Sequence, residues 1–413
     1  MSTRHLAVTL SVAALLGVGI GSAVVVAQSA IVPREALDQA TPATADATSK
    51  PGTRDQARQS IASGLKYLLS QQKPDNTWQN PHEPPGITAI VLKALVRDPN
   101  FRNDPQVKRG YEALLKFQLD SGGIYKDALA SYNTAIAISA LATADNPQYK
   151  PAISKAVAYL KSLQWTDSIQ GPKGEKVVDA ANPWYGGWGY GGQSRGAGRP
   201  DLSNTQMALD ALKDAGLPPD DPAFKAAAKF VSRLQNFSET NDRPWVDNDG
   251  GFIYGPSDSG VGESFAGEYT GPDGKRLLRS YGSMTYAGLK SMVYAGLTKE
   301  DPRVLAAWAW VSRNWTLEEN PGMRLGQPEN ANYGLYYYYQ TLAKTLAVYG
   351  EPTISDPTGV KHNWPNEVVQ KLSSLQRPDG SWVGDKKWYE DNPVLATAYA
   401  VATLQDALDA MSK

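Results

Sequence analysis

The sequence contains no cysteine in 413 residues. Disulfide staples, thiolate metal ligands, cysteine nucleophiles and thioester chemistry are excluded together. Histidine is nearly as scarce: His5 lies in the N-terminal segment, and His82 and His362 sit far apart in Pro- and Asn-containing loops, a poor basis for a metal centre. Neither charge is in excess, since 41 Lys and Arg stand against 42 Asp and Glu. Nothing therefore offsets the phosphates of a nucleic-acid backbone. Phenylalanine is sparse at 7, while Trp reaches 11 and Tyr 21, so the aromatic content is carried by side chains with a polar handle. No metal, cofactor or nucleic-acid partner is expected.

Arg4 and His5 precede an uncharged stretch from Leu6 to Val26, and Val25-Val26-Ala27 supplies small residues suited to cleavage. Residues 1–27 read as an export signal or an uncleaved anchor, with Gly17, Gly19, Gly21 and Ser22 favouring cleavage. Residues 28–56, rich in Ala, Thr, Pro and Asp, show no apolar period and read as a flexible tether. The folded region is expected at 57–413, exported to the periplasm or cell envelope, with any membrane association running through the N-terminus.

Inside the folded region the same unit recurs six times: an amphipathic helix, a Gly-rich loop holding an aromatic, and a more apolar second helix. The first helices are expected near 57–72, 105–120, 151–164, 222–236, 302–316 and 364–377. Five end in a glutamine: Gln72, Gln118, Gln164, Gln235 and Gln376. The turn that follows reads Q-x3-G-x-W at Gln376 to Trp382, Q-x3-N-x-W at Gln72 to Trp78, and Q-x3-G-x-I at Gln118 to Ile124. Such a turn needs Gly or Asn at positive φ, after which one large side chain plugs the gap between hairpins. The second helices align on Thr88, Thr134, Thr205, Thr285 and Thr397; the remaining unit is the outlier, with Tyr339 in the Thr place. Six hairpins, each too small to bury its own apolar face, predict an all-α fold, an α/α toroid with the apolar helices inside.

The Q-x3-G-x-W turns between paired helices resemble the QW-type repeats of squalene-hopene cyclases and of protein prenyltransferase β subunits, over roughly residues 57–410. The resemblance implies an apolar, aromatic-lined central cavity that handles isoprenoid chains. It does not carry the chemistry over. Hopene-type cyclases place D-x-D-D-T at the start of an inner helix, and the matching stretch here is Asp201-Leu202-Ser203-Asn204-Thr205, where Ser203 replaces the acid and cannot serve as a strong proton donor. The prenyltransferase zinc set includes a cysteine, which this chain lacks.

Candidate site residues carry two readings each. Asp201 is a ligand-facing acid, or part of a helix start in which Ser203 to Gln206 form a capping box. Asp247, Asp249 and Glu263 are either an acid–base set or turn formers. Trp184, Trp188 and Tyr190 form a lid or a rigid inter-hairpin plug, and Arg195 and Arg199 beside them either attract an anion or are solvated. Tyr333, Tyr337 and Gln340 make a stripe along one inner helix, facing the lumen or packed. Gly187-x-Gly189-x-x-Gly192 follows no strand and is not read as a nucleotide site. The leading functional expectation is an exported toroid that binds, and if catalytic transforms, an isoprenoid-like or other apolar small molecule, with Trp184, Trp188, Tyr190, Asp201, Tyr281, Tyr333, Tyr337 and Gln340 as ligand-binding candidates. The alternatives are a carbohydrate-active hydrolase or lyase acting on a glycan through Asp247, Asp249, Glu263, Arg279 and Tyr281, or a non-catalytic interaction scaffold.

Overall fold

The computed structural model describes residues 52–167, 179–191, 198–241, 243–256 and 262–412. The leader expected at 1–27, most of the tether, and Arg195 and Gly192 of the third loop lie outside these described residues. Among the described residues, twelve long helices form six consecutive pairs: α1 (Arg54–Ser70) with α2 (Gly86–Val96), α3 (Pro105–Leu115) with α4 (Ala130–Thr143), α5 (Lys150–Ser162) with α6 (Leu202–Asp214), α7 (Pro222–Ser232) with α8 (Gly282–Tyr294), α9 (Pro302–Arg313) with α11 (Leu335–Tyr349), and α12 (Trp364–Leu375) with α13 (Pro393–Ala410). A single turn, α10 (Met323–Gly326), sits in the fifth connection. Helix α1 begins at Arg54, three residues before the expected start, because the Thr53 hydroxyl accepts the Gln56 amide and caps it.

The division into inner and outer helices follows burial. Helix α8 buries twelve of its thirteen residues, whereas α5 buries only Ala156 and Leu160. The inner helices pack in sequence, α2 on α4, α4 on α6, α6 on α8, α8 on α11 and α11 on α13, and α13 closes back on α2. Outer helices start where expected at Asp104-Pro105, Asp221-Pro222 and Asp301-Pro302, each Asp accepting the amide two residues on while Pro takes the first helical position.

The repeated glutamine and threonine explain the repeat. Gln164 Nε2 donates to the Gly186 carbonyl at its own turn and to the Ala223 carbonyl in the next outer helix, both at 2.9 Å. Gln72, Gln118, Gln235 and Gln376 make the same pair of bonds. The plug residues Trp78, Ile124, Trp188, Phe252 and Trp382 each donate a backbone N–H to the aligned threonine hydroxyl, at 2.8–3.1 Å. Gly186 shows why the turn is glycine: φ is +91°, and a Cβ would lie 1.9 Å from the Ala226 carbonyl oxygen. In the outlier unit the hydroxyls of Tyr338 and Tyr339 reach the Thr316 and Leu317 carbonyls instead.

Two short antiparallel hairpins among the described residues, absent from the all-helical expectation, decorate the loops: β1 (Glu268–Thr270) with β2 (Arg276–Leu278), and β3 (Thr353–Ser355) with β4 (Lys361–Asn363). The C-terminal end of the inner ring is sealed by charge. Lys290, 0% exposed, pairs with Asp210 at 2.6 Å, Lys93 with Asp214 at 2.7 Å, and Arg97 with Asp406 at 2.8 Å. Cations in the last turns of helices also offset the exposed carbonyls there.

Candidate functional site

The opposite end of the lumen is hollow. A cavity of about 160 Å³ is lined by the first turns of the inner helices and by the loops leading into them. That is room for roughly five waters at about 30 Å³ each, below the usual range of small-molecule sites. Nine of its 21 lining residues are aromatic: Tyr132, Tyr190, Tyr254, Phe265, Tyr281, Tyr337, Trp388, Tyr389 and Tyr399. Ile87, Ile90, Ile136, Met284 and Leu395 fill the spaces between rings.

The tyrosine hydroxyls are mostly turned to one another or to the wall. Tyr190 and Tyr254 share a hydrogen bond at 3.2 Å, and Tyr132 and Tyr399 at 3.4 Å. The Tyr337 hydroxyl meets Ser203 Oγ at 3.1 Å and accepts from Gln206 Nε2 at 3.0 Å, while Tyr389 donates to Glu83 at 2.9 Å. What remains facing the cavity is largely ring and aliphatic surface.

Sequence reasoning does not single out Tyr132, Tyr254, Phe265, Trp388, Tyr389 and Tyr399 of this wall, nor its one carboxyl, Glu390. Helix α11 starts after Gly334, which has no side chain to cap it, and the Glu390 carboxylate, more than fifty residues on, accepts the amides of Tyr336 at 3.1 Å and Tyr337 at 2.8 Å. Burial outweighs these donors and pushes its pKa up to about 8. Trp388 and Tyr389 just before it adopt positive φ, 56° and 69°, a costly conformation for bulky side chains that persists only where the surroundings enforce it. The one available signal was an acid closing a Trp-Tyr-Glu run ahead of a helix start.

Asp201 lies behind the wall. It caps α6, accepting the Asn204 amide at 2.8 Å and Asn204 Nδ2 at 2.7 Å, and burial raises its pKa to about 7. The expected capping box on Ser203 is corrected: α6 begins at Leu202, so Ser203 is already inside the first turn and its hydroxyl turns to Tyr337. Tyr190, Tyr281 and Tyr337 line the cavity. Trp188 does not, being the buried plug of its turn with Nε1 bonded to the Leu160 carbonyl at 2.7 Å. Trp184 is peripheral, tilted against Trp165 with the Arg199 guanidinium 4.8 Å over its ring. Tyr333 packs edge-on to Trp388, and Gln340 lines a second, smaller cavity of about 50 Å³ beside Lys344, Arg97 and Asp406, nearer the charged seal.

The loop carboxylates stand apart from the cavity wall. Asp247 accepts the Tyr269 hydroxyl, and Asp249 accepts Ser280 Oγ at 2.7 Å and the Gly251 amide at 2.8 Å, with burial raising it to about 6. Burial also raises the Glu263 carboxyl, whose backbone bridges to Gly255. Arg279 stacks over Tyr269 at 4.6 Å. His362 sits 3.2 Å from Glu367, and no group of three His, Asp or Glu suited to a metal occurs among the described residues.

No family model and no curated protein matches the sequence. Solved structures do. The chain is similar to an unsaturated glucuronyl hydrolase specific for heparin, with TM-score 0.53 and 13% identity over 87% of this chain and 99% of that one. It is also similar to an α-1,6-mannanase of Salegentibacter, with TM-score 0.52 and 11% identity over 86% and 100%, and to the type II terpene cyclase MstE from Scytonema, with TM-score 0.50 and 14% identity over 87% and 99%. The fold is an α/α toroid. At these identities the likeness extends to the toroid architecture and not to one of its chemistries.

Proposed function

We propose that the chain binds an isoprenoid-like apolar molecule in the cavity at the N-terminal end of its inner ring, and that its repeats are a divergent form of those in squalene-hopene cyclases and prenyltransferase β subunits. The wall carries the reading. Nine aromatic side chains line one space, and most of the tyrosine hydroxyls are tied to each other, so ring faces and branched aliphatics meet the ligand. Such a surface suits a branched, unsaturated hydrocarbon body. A structural neighbour, the Scytonema cyclase, was solved with geranylgeranyl dihydroxybenzoate as its substrate, which supports this ligand class by analogy of fold.

The reading is of binding rather than cyclisation. Protonating an alkene needs a strong acid, and burial has weakened both Asp201 and Glu390 while engaging them as helix caps. A glycan reading would need its carboxylates at the cavity, whereas Asp247 and Asp249 are occupied within their own loop. Native mass spectrometry of the full chain purified from its own cell envelope tests the proposal. A released isoprenoid or lipid mass is expected; a sugar oligomer, or a protein still empty after incubation with isoprenoid lipids, contradicts it.

A further inference from the structure

Tyr281 differs from the other tyrosines of the cavity wall. Its side chain is 1% exposed and lines the cavity, yet its hydroxyl has no hydrogen-bond partner among the described residues. The other wall tyrosines are all engaged: Tyr190 with Tyr254, Tyr132 with Tyr399, Tyr337 with Ser203 and Gln206, and Tyr389 with Glu83. In each tyrosine pair one hydroxyl donates to the other, whereas the Tyr281 hydroxyl has no partner among the described residues, so both its donor and its acceptor sites are open to whatever fills the space.

The position of this phenol is fixed by its backbone. Tyr281 precedes α8, and its carbonyl accepts the Thr285 amide at 2.9 Å and the Thr285 hydroxyl at 3.0 Å. Its own N–H donates to the Phe252 carbonyl at 3.3 Å, and Phe265 stands edge-on to its ring at 6.5 Å. Burial drives its pKa well above that of an ordinary phenol, so it stays a neutral donor at any physiological pH.

We infer that the molecule held in this cavity is an oxygenated hydrocarbon, an isoprenoid alcohol or ketone, whose oxygen accepts a hydrogen bond from Tyr281 Oη while its hydrocarbon body lies against the surrounding rings. This rests on the binding role proposed above and narrows it, because a plain hydrocarbon leaves the phenol unsatisfied. Around Tyr281 the wall is apolar at Phe265 and Met284 and already paired at Tyr190 and Tyr337.

The test compares farnesol with the triene that differs from it only by lacking the hydroxyl, titrated calorimetrically into the full chain and into its Tyr281→Phe variant. The wild-type protein should bind farnesol about tenfold tighter than the triene, the gain of one net hydrogen bond to a buried donor. Tyr281→Phe should lose most of that preference while its affinity for the triene stays within about twofold. The unliganded variant should melt with the wild type, since no protein hydrogen bond is removed. If Tyr281→Phe binds farnesol as tightly as the wild type while the triene also binds, the oxygen assignment is overturned and the apolar cavity survives. If the wild type binds neither compound, both fall.

Discussion

Gln376 Nε2 donates to the Ser60 carbonyl at 3.0 Å across a separation of 316 residues, tying the last Gln turn to the first outer helix. The same bond links each of the other four Gln turns to the outer helix that follows it. One side chain type thus does in five places what a covalent staple would do in a cysteine-bearing scaffold.

Removing one of these links should be costly because it cuts two buried hydrogen bonds at once, one of them the tie to the next outer helix. Gln164→Ala is expected to destabilise the fold by about 2–3 kcal/mol in chemical denaturation, more than the ~1 kcal/mol of a single exposed hydrogen bond. A loss below about 0.5 kcal/mol would show that the glutamine is incidental to ring closure.

Trp188 separates the plug from the wall. Trp188→Phe keeps the ring in its slot but loses the 2.7 Å bond to the Leu160 carbonyl, and should lower stability by about 1–3 kcal/mol with ligand affinity unchanged. A selective loss of binding at unchanged stability would return Trp188 to the ligand site.

The repeat is legible in sequence because its elements are local: a Gln, a positive-φ residue, a plug and a Thr at constant spacing, which also point to the toroid. The site is less so. The expected stripe of Tyr333, Tyr337 and Gln340 is broken: Tyr333 precedes α11, separated from it by Gly334 in a left-handed conformation, and only Tyr337 reaches the main cavity, since Tyr333 packs against Trp388 and Gln340 lies a turn deeper. The capping role of Glu390 cannot be read from its neighbours, since the helix it caps starts more than fifty residues earlier and no spacing rule connects a cap to a helix start in another hairpin. Lys93, Lys290 and Lys344 each lie five residues past the aligned Thr88, Thr285 and Tyr339, but their ion pairs come from Asp210 and Asp214 on a different inner helix.

Stability should fall as pH rises through neutrality. Glu390 at about 8, Asp201 at about 7 and Asp249 at about 6 hold their protons more tightly in the folded protein than carboxyls near 4 do in the unfolded chain. Their contribution is full below about pH 4 and is lost as pH climbs through 6 to 8, at up to ~1.4 kcal/mol per group per unit. Asp214, held low by Lys93 and Lys344, acts in the opposite sense only at more acid pH. The thermal midpoint should drop between pH 5 and pH 8, and Glu390→Gln should flatten the upper end of that slope; an unchanged slope would mean Glu390 is ionised throughout.

The buried Lys290–Asp210 pair should be worth more as a pair than singly. Lys290→Met takes the buried cation from Asp210, which keeps only the Tyr294 hydroxyl as a direct partner among the described residues, and is expected to cost about 3–5 kcal/mol, most of which the double replacement Lys290→Met with Asp210→Leu should restore. Equal destabilisation by the single and double variants, measured in urea, would contradict this.

The most direct test of the cavity's role is to fill it. Ile136→Trp places a large ring on the cavity wall. Farnesol titrated into the wild-type protein should bind at one site per chain, and binding should be lost in a folded Ile136→Trp variant. Equal binding by both proteins would place the ligand elsewhere on the molecule and contradict the account.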